Sequence, residues 1–147
     1  MSRAELAARQ AALVAALVAG ADVPGGVNAG RLAVARRALL RKRASEVTAS
    51  WPLLAASLGH KWTPSFVEWA AGRPPLGSLR DGWDLARDLA ATGRLASLGQ
   101  DELAAREVTW RYTGRVPTRR RLPALRRVPD ALVLQLAGRV FRLRWLR

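Results

Sequence analysis

Between Arg31 and Gly59 the chain reads R-L-A-V-A-R-R-A-L-L-R-K-R-A-S-E-V-T-A-S-W-P-L-L-A-A-S-L-G. Leu40, Ala44, Val47, Trp51, Leu54 and Leu58 recur at spacings of four and three, which lays one apolar stripe along a helical surface. Pro52 interrupts this stripe without ending it. Proline is accepted in the first turn of a helix, so a second helix starts at Pro52, with Ser50 as candidate cap. Gly59 closes that helix. The expected unit is a long basic helix, a sharp joint at Trp51-Pro52, and a short helix ending at Leu58-Gly59.

Punctuation of the same kind sets out the rest of a helical body. Ser2 caps a helix over 3–19. Gly20, Pro24, Gly25, Gly26, Asn28 and Gly30 make a loop. Thr63-Pro64 opens a helix to Ala71, and residues 72–80 hold a second loop. Asp81 caps a helix reaching Ala91, and Asp101 caps the last helix, to about Tyr112. The apolar run Ala11–Ala19 is too short to span a bilayer. Glu5, Arg9 and Gln10 precede it closely, so it reads as a helix rather than as a secretion signal.

The pattern changes after Gly114. Pro117, Pro123 and Pro129 exclude a long helix. Ala131 to Ala137 and Arg139 to Leu146 alternate with period two, and Gly138 stands where a hairpin turn belongs. Leu122 to Val128 is a candidate third strand. In the last run Val140, Arg142 and Arg144 share one face, and Arg139, Phe141, Leu143 and Trp145 the other. The aromatic set is expected inward on the helices, leaving Val140, Arg142 and Arg144 outside. The fold class is α+β, a helical domain over 1–113 followed by a small antiparallel β unit over 114–147.

Charge divides along the same line. The formal net charge is +14. From Arg111 to the end there are 11 arginines and one acid, giving +10; residues 1–110 hold 14 basic and 10 acidic residues, giving +4. Such a field favours an anionic partner. Nucleic acid, an acidic peptide and an acidic protein face all satisfy it. Arg36, Arg37, Arg41, Lys42 and Arg43 cluster on the long helix but spread over several of its faces, which argues against one recognition face.

Catalytic groups are scarce. There is no cysteine and one histidine, His60, which excludes thiolate chemistry and leaves no spacing of ligands for a metal. Asp81, Asp84 and Asp88 share a helical segment, and cap and solvated face explain them. No glycine-rich phosphate loop and no nucleophile motif is present. The expectation is a non-enzyme with no cofactor of its own.

The helical body also carries a resemblance. Arg31-Leu32, Val34 and Arg36 stand early in the long helix, then Trp51-Pro52-Leu53-Leu54 and Leu58-Gly59. Trp69-Ala70 and Pro74-Pro75 follow, then Leu85 to Leu89 and Leu103 to Trp110. In order and spacing, residues 5–112 resemble the partner proteins of multinuclear non-heme iron-dependent oxidative enzymes (MNIO) in ribosomal peptide natural-product pathways. That family often carries the label of DNA-binding domain. Ala35 departs from it, standing where the family tends to have tyrosine.

The resemblance implies a cytoplasmic partner subunit that forms a heterodimer with such an enzyme and helps to recruit a precursor peptide through its leader. Edge strands bind extended peptides by main-chain hydrogen bonds. The peptide-binding candidates are therefore Val133, Gln135, Val140, Arg142 and Arg144. The candidates for the enzyme interface are Arg36, Arg37, Trp51 and Trp83. A nucleic-acid-binding regulator is the alternative suggested by charge alone, with weak non-specific binding expected in any case. A purely structural subunit is a third reading.

Overall fold

The computed structural model describes residues 1–145; the expected end of the last strand, at Leu146, lies outside the described residues. The chain is α+β, helices first and a three-stranded antiparallel sheet last. Helix α1 is Arg3–Ala19, α2 Ala29–Ser50, α3 Pro52–Leu58, α4 Trp62–Ala70, α5 Ser78–Ala91 and α6 Ser97–Thr109. Ser2 caps α1 in a capping box with Glu5, which satisfies two of the helix's free amides. Pro52 opens α3 at its first position.

Four boundaries depart from the sequence pattern. A single 3-10 turn, Gly59–Lys61, leads directly into α4, so that helix begins at Trp62, before Pro64. Helix α5 begins at Ser78, and the Asp81 carboxylate lies inside the first turn, where it accepts the Leu76 amide at 3.1 Å. Helix α6 begins at Ser97, so Asp101 lies inside it rather than at its cap. It ends at Thr109. Trp110–Arg111 is already strand β1, paired with β2 at Thr118–Arg119, a short ribbon with no alternation to announce it.

The chain forms two compact units. One combines residues 1–50 with 60–81, and the other combines 51–59 with the chain from Gly82 onward. A boundary at residue 113 would put all helices in one body. Instead α3 and α6 belong with the sheet, because α6 packs on it and α3 packs on α6.

In the first unit α2 packs on α1 and α4. Its buried residues include Leu32, Ala44, Val47, Trp62 and Phe66. Arg43 ties it together. Its guanidinium donates to Asp81 at 2.7 Å and to the Arg73 and Pro74 carbonyls at 2.8 and 3.3 Å. In the second unit Trp51, Leu54, Trp83, Leu85 and Val108 are fully buried. The stripe that runs through the Trp51-Pro52 joint therefore supplies both cores, Ala44 and Val47 one and Trp51 and Leu54 the other.

Candidate functional site

The sheet is β3 (Ala124–Val128), β4 (Ala131–Leu136) and β5 (Arg139–Arg144), in that order across. Strand β4 is central; β3 and β5 are edges. The β4–β5 turn is Ala137-Gly138, with φ of 51° and 78°. A two-residue turn with positive φ at both positions matches the twist of a hairpin and fixes its register.

That register decides which side chains share a face. Val140 lies opposite Gln135, Arg142 opposite Val133 and Arg144 opposite Ala131. Directly opposed residues point to the same side. Ala131 and Val133 are buried with Val128 against Ala104 and Val108 of α6. The side chains of Val140, Arg142 and Arg144 therefore stand on the α6 side of the sheet. Phe141, Leu143 and Trp145 stand on the other side, 45%, 58% and 42% exposed. This reverses the orientation expected from the alternation.

The reversal has an electrostatic cause. Acidic side chains of α6 and of the β3–β4 turn neutralise the arginines of that side. Arg142 meets Asp101 at 2.6 Å and Asp130 at 3.5 Å, Arg144 meets Asp130 at 3.0 Å, and Arg126 meets Glu107 at 3.0 Å. Glu107 also binds Arg87 at 2.7 Å. Arginine buries its aliphatic stem while its head stays paired.

Two of the peptide-contact candidates are excluded as contacts. Val133 and Gln135 are 2% and 4% exposed. They belong to the central strand, whose main chain is paired on both sides, so no guest strand reaches them.

Val140, Arg142 and Arg144 keep a different capacity. The Trp145 amide donates to the Asp130 carbonyl, back toward β4. Main-chain groups alternate in direction along an antiparallel strand. The N–H and C=O of Val140, Arg142 and Arg144 therefore point away from β4, to the edge where no strand is paired among the described residues. What these three residues offer a peptide is backbone.

The expected enzyme contacts divide as well. Trp51 and Trp83 are 0% exposed and meet edge to face within the second unit, so both are core. Arg36 is half-buried and donates to the Ala16 and Ala21 carbonyls, closing the end of α1. Arg37 is exposed and remains available. Of the basic cluster, Arg36 and Arg43 hold the fold, while Arg37, Arg41 and Lys42 face solvent, Lys42 within 4.0 Å of Glu46.

The row Asp81, Asp84 and Asp88 is not a carboxylate site. Asp81 pairs with Arg43, and Asp84 accepts the Tyr112 hydroxyl at 3.0 Å. Among the described residues no group of three or more His, Cys, Asp or Glu side chains is placed to hold a metal ion. His60 is exposed in the 3-10 turn. No helix among the described residues is long and apolar enough to cross a membrane.

Two features escaped the sequence pattern. A cleft of about 330 Å3 lies beside the β3 edge, lined by Leu95, Leu103, Val128, Glu107 and Arg126 among others. The outward apolar face of the sheet is the second. Its alternation was visible; the acids that draw the arginines to the opposite side come from α6 and a turn, and nothing local signals them.

The sequence profile of the SCO6045-like, C-terminal domain matches residues 7–91, more than half of the chain. The chain belongs to that family. A UPF0276 protein from Streptomyces avermitilis is 44% identical to it over 94 residues, which is 63% of this chain and 19% of the relative. The chain thus spans less than a fifth of that relative's length. No solved structure matches. The match to the SCO6045-like family ends with α5, so α6 and the sheet with its paired arginines lie beyond it.

Proposed function

We propose that this member of the SCO6045-like family is a non-catalytic, cytoplasmic partner subunit. It binds an MNIO-type iron-dependent oxidative enzyme and helps to recruit a ribosomally made precursor peptide for modification. The observation that carries the reading is the open edge of β5, where the main-chain groups of Val140, Arg142 and Arg144 point away from β4 and meet no strand among the described residues. An extended peptide added to β5 gains main-chain bonds from Val140, Arg142 and Arg144. Acidic residues in the peptide gain from the net charge of the chain, +14, rather than from these paired arginines.

Two further facts support the same reading. The resemblance of residues 5–112 to MNIO partner proteins supplies the enzyme class. The UPF0276 relative carries the matching region as a minor part of a much longer chain. A domain joined to a larger body in one protein works beside another body, as a partner subunit does.

The test is co-expression of the full chain with an MNIO-type enzyme and precursor peptide from the same genome. A stoichiometric complex should co-purify, and the mass change on the precursor should require the chain. A precursor modified equally well without it, or the absence of any complex, would sink the proposal.

A further inference from the structure

The outward face of the β3–β4–β5 sheet is apolar at its centre and basic beside it. Leu125, Leu134 and Phe141 form one row across the three strands, and Arg127, Leu132 and Leu143 form the next. Leu125 is 55% exposed, comparable to Phe141 and Leu143. The Arg127 guanidinium lies over the Trp145 ring, 5.7 Å from its centroid. Arg139 stands on the same side, opposite Leu136. Apolar residues scattered singly on a surface need no explanation, but a contiguous set on one flat face marks an interaction site.

We infer that this face docks onto the iron enzyme itself, against a folded surface that is apolar at its centre and carries carboxylates beside it. The inference deepens the partner-subunit reading and rests on it.

Charge and geometry choose this occupant. Arg126, Arg142 and Arg144 on the opposite face find Glu107, Asp101 and Asp130. Arg127 and Arg139 meet no carboxylate among the described residues, so their counter-charges are left for a partner to supply. A second copy of this chain would bring two more such arginines and no carboxylate to the same face, in a protein already at +14. An extended peptide gains little here, because main-chain groups lie in the plane of a sheet and point to its edges. The face offers side chains only, which suits a folded surface.

Strands of five or six residues make a face of roughly 15 by 20 Å. A standard interface takes about 800 Å2 from each partner. The apolar rows are therefore the centre of the interface, and the flanking arginines belong to its rim. Strand β5 then serves two partners at once. Its edge holds the peptide and its outward side chains hold the enzyme, so a guest strand is laid beside the enzyme surface.

The test uses the full chain in three forms: wild type, Leu143→Asp, and Phe141→Ala with Leu143→Ala. Affinity for the MNIO-type enzyme and for the isolated precursor peptide is measured separately, with a thermal melt of each form. The expected result is a loss of enzyme affinity of about tenfold or more in both variants, while peptide affinity and melting temperature hold. The milder double variant keeps the test valid if Leu143→Asp disturbs folding. Wild-type binding that survives in both variants overturns this docking face and leaves the partner reading intact. A wild type that binds no enzyme overturns both. Loss of peptide affinity with enzyme binding retained assigns the face to the peptide instead. Wild-type self-association, or binding to anionic lipid vesicles, that both variants abolish while enzyme binding holds would assign it to a second copy or a membrane.

Discussion

Trp51 and Trp83 meet edge to face, with ring centroids 5.7 Å apart and planes inclined by 73°. Arg106 lies over the Trp51 ring at 4.2 Å. Within the second unit the start of α3 is thus anchored by a ring that residues of α5 and α6 enclose.

The first prediction follows from that enclosure. Trp51→Ala should cost about 3–5 kcal/mol, the range for emptying a large core site. Gly82, inside α5, faces the Trp51 indole so closely that an added Cβ would collide with it. In an open helix Gly→Ala gains about 1 kcal/mol. Here Gly82→Ala should instead lose about 1–3 kcal/mol. In the Trp51→Ala background the clash is gone and Gly82→Ala should stabilise. Urea melts of the four forms check the reversal of sign.

The second prediction concerns Glu102. Helix α3 has no side-chain cap at Trp51. Its Leu54 amide is satisfied from α6 instead, by the Glu102 carboxylate at 2.7 Å, with Arg106 on the other oxygen at 3.3 Å. Glu102→Ala leaves a buried donor without a partner and should cost about 1–3 kcal/mol. Glu102→Gln keeps an acceptor and should cost less. Equal melting temperatures for the two variants would show that the amide bond is not the stabilising contact.

A third prediction rests on Arg43 and Asp81, side chains 11% and 1% exposed and 2.7 Å apart. Removing one partner of a buried pair strands the other, at a cost of about 3–5 kcal/mol. Arg43→Met and Asp81→Asn should each be strongly destabilising. The double variant should cost well under the sum of the singles. Additive losses in chemical denaturation would mean the two residues act separately.

These three contacts also mark how far the sequence was legible. The stripe through Trp51 and the proline at position 52 placed the joint, because apolar spacing and helix punctuation are local. The α+β order was legible for the same reason. Glu102 reads as an acid in the first half of a helix, and its contact 48 residues away leaves no local trace. The β5 faces were separated correctly but assigned to the wrong sides. The sorting of apolar residues inward assumes that charge goes to water, and here Asp101, Asp130 and Glu107 hold the arginines against the helix. Tryptophan serves the core more often than an interface, and the packing assigns Trp51 and Trp83, both also candidates for the enzyme interface, to the core.

The fourth prediction distinguishes the partner reading from a nucleic-acid regulator. Several arginines that the charge count assigns to a phosphate partner are occupied: Arg43, Arg87, Arg126 and Arg142 all pair with carboxylates. Binding to duplex or single-stranded DNA should be weak, indifferent to sequence, and lost steeply as salt rises. Fluorescence anisotropy across a salt series checks it. Submicromolar, sequence-selective binding at physiological salt would favour the regulator.

The last prediction addresses the edge of β5 through its backbone. The Val140 amide points away from β4, to the open side, whereas the Phe141 amide points toward β4, opposite Leu134. Proline lacks the donor and is tolerated on an edge strand where that donor faces solvent. Val140→Pro should therefore leave the chain folded, with a modest loss of stability. It should lower affinity for the precursor peptide by about tenfold or more, equivalent to about 1.4 kcal/mol, because a guest strand loses one bond and meets a ring where the bond belonged. Phe141→Pro removes a donor to β4 and should unravel the hairpin, lowering the melting temperature itself. The comparison needs only circular dichroism, a melt and a peptide titration for each variant. If Val140→Pro binds peptide as well as wild type while folding normally, the peptide does not add to this edge, and the β3 side of the sheet, with its cleft at Leu95 and Leu103, becomes the site to test.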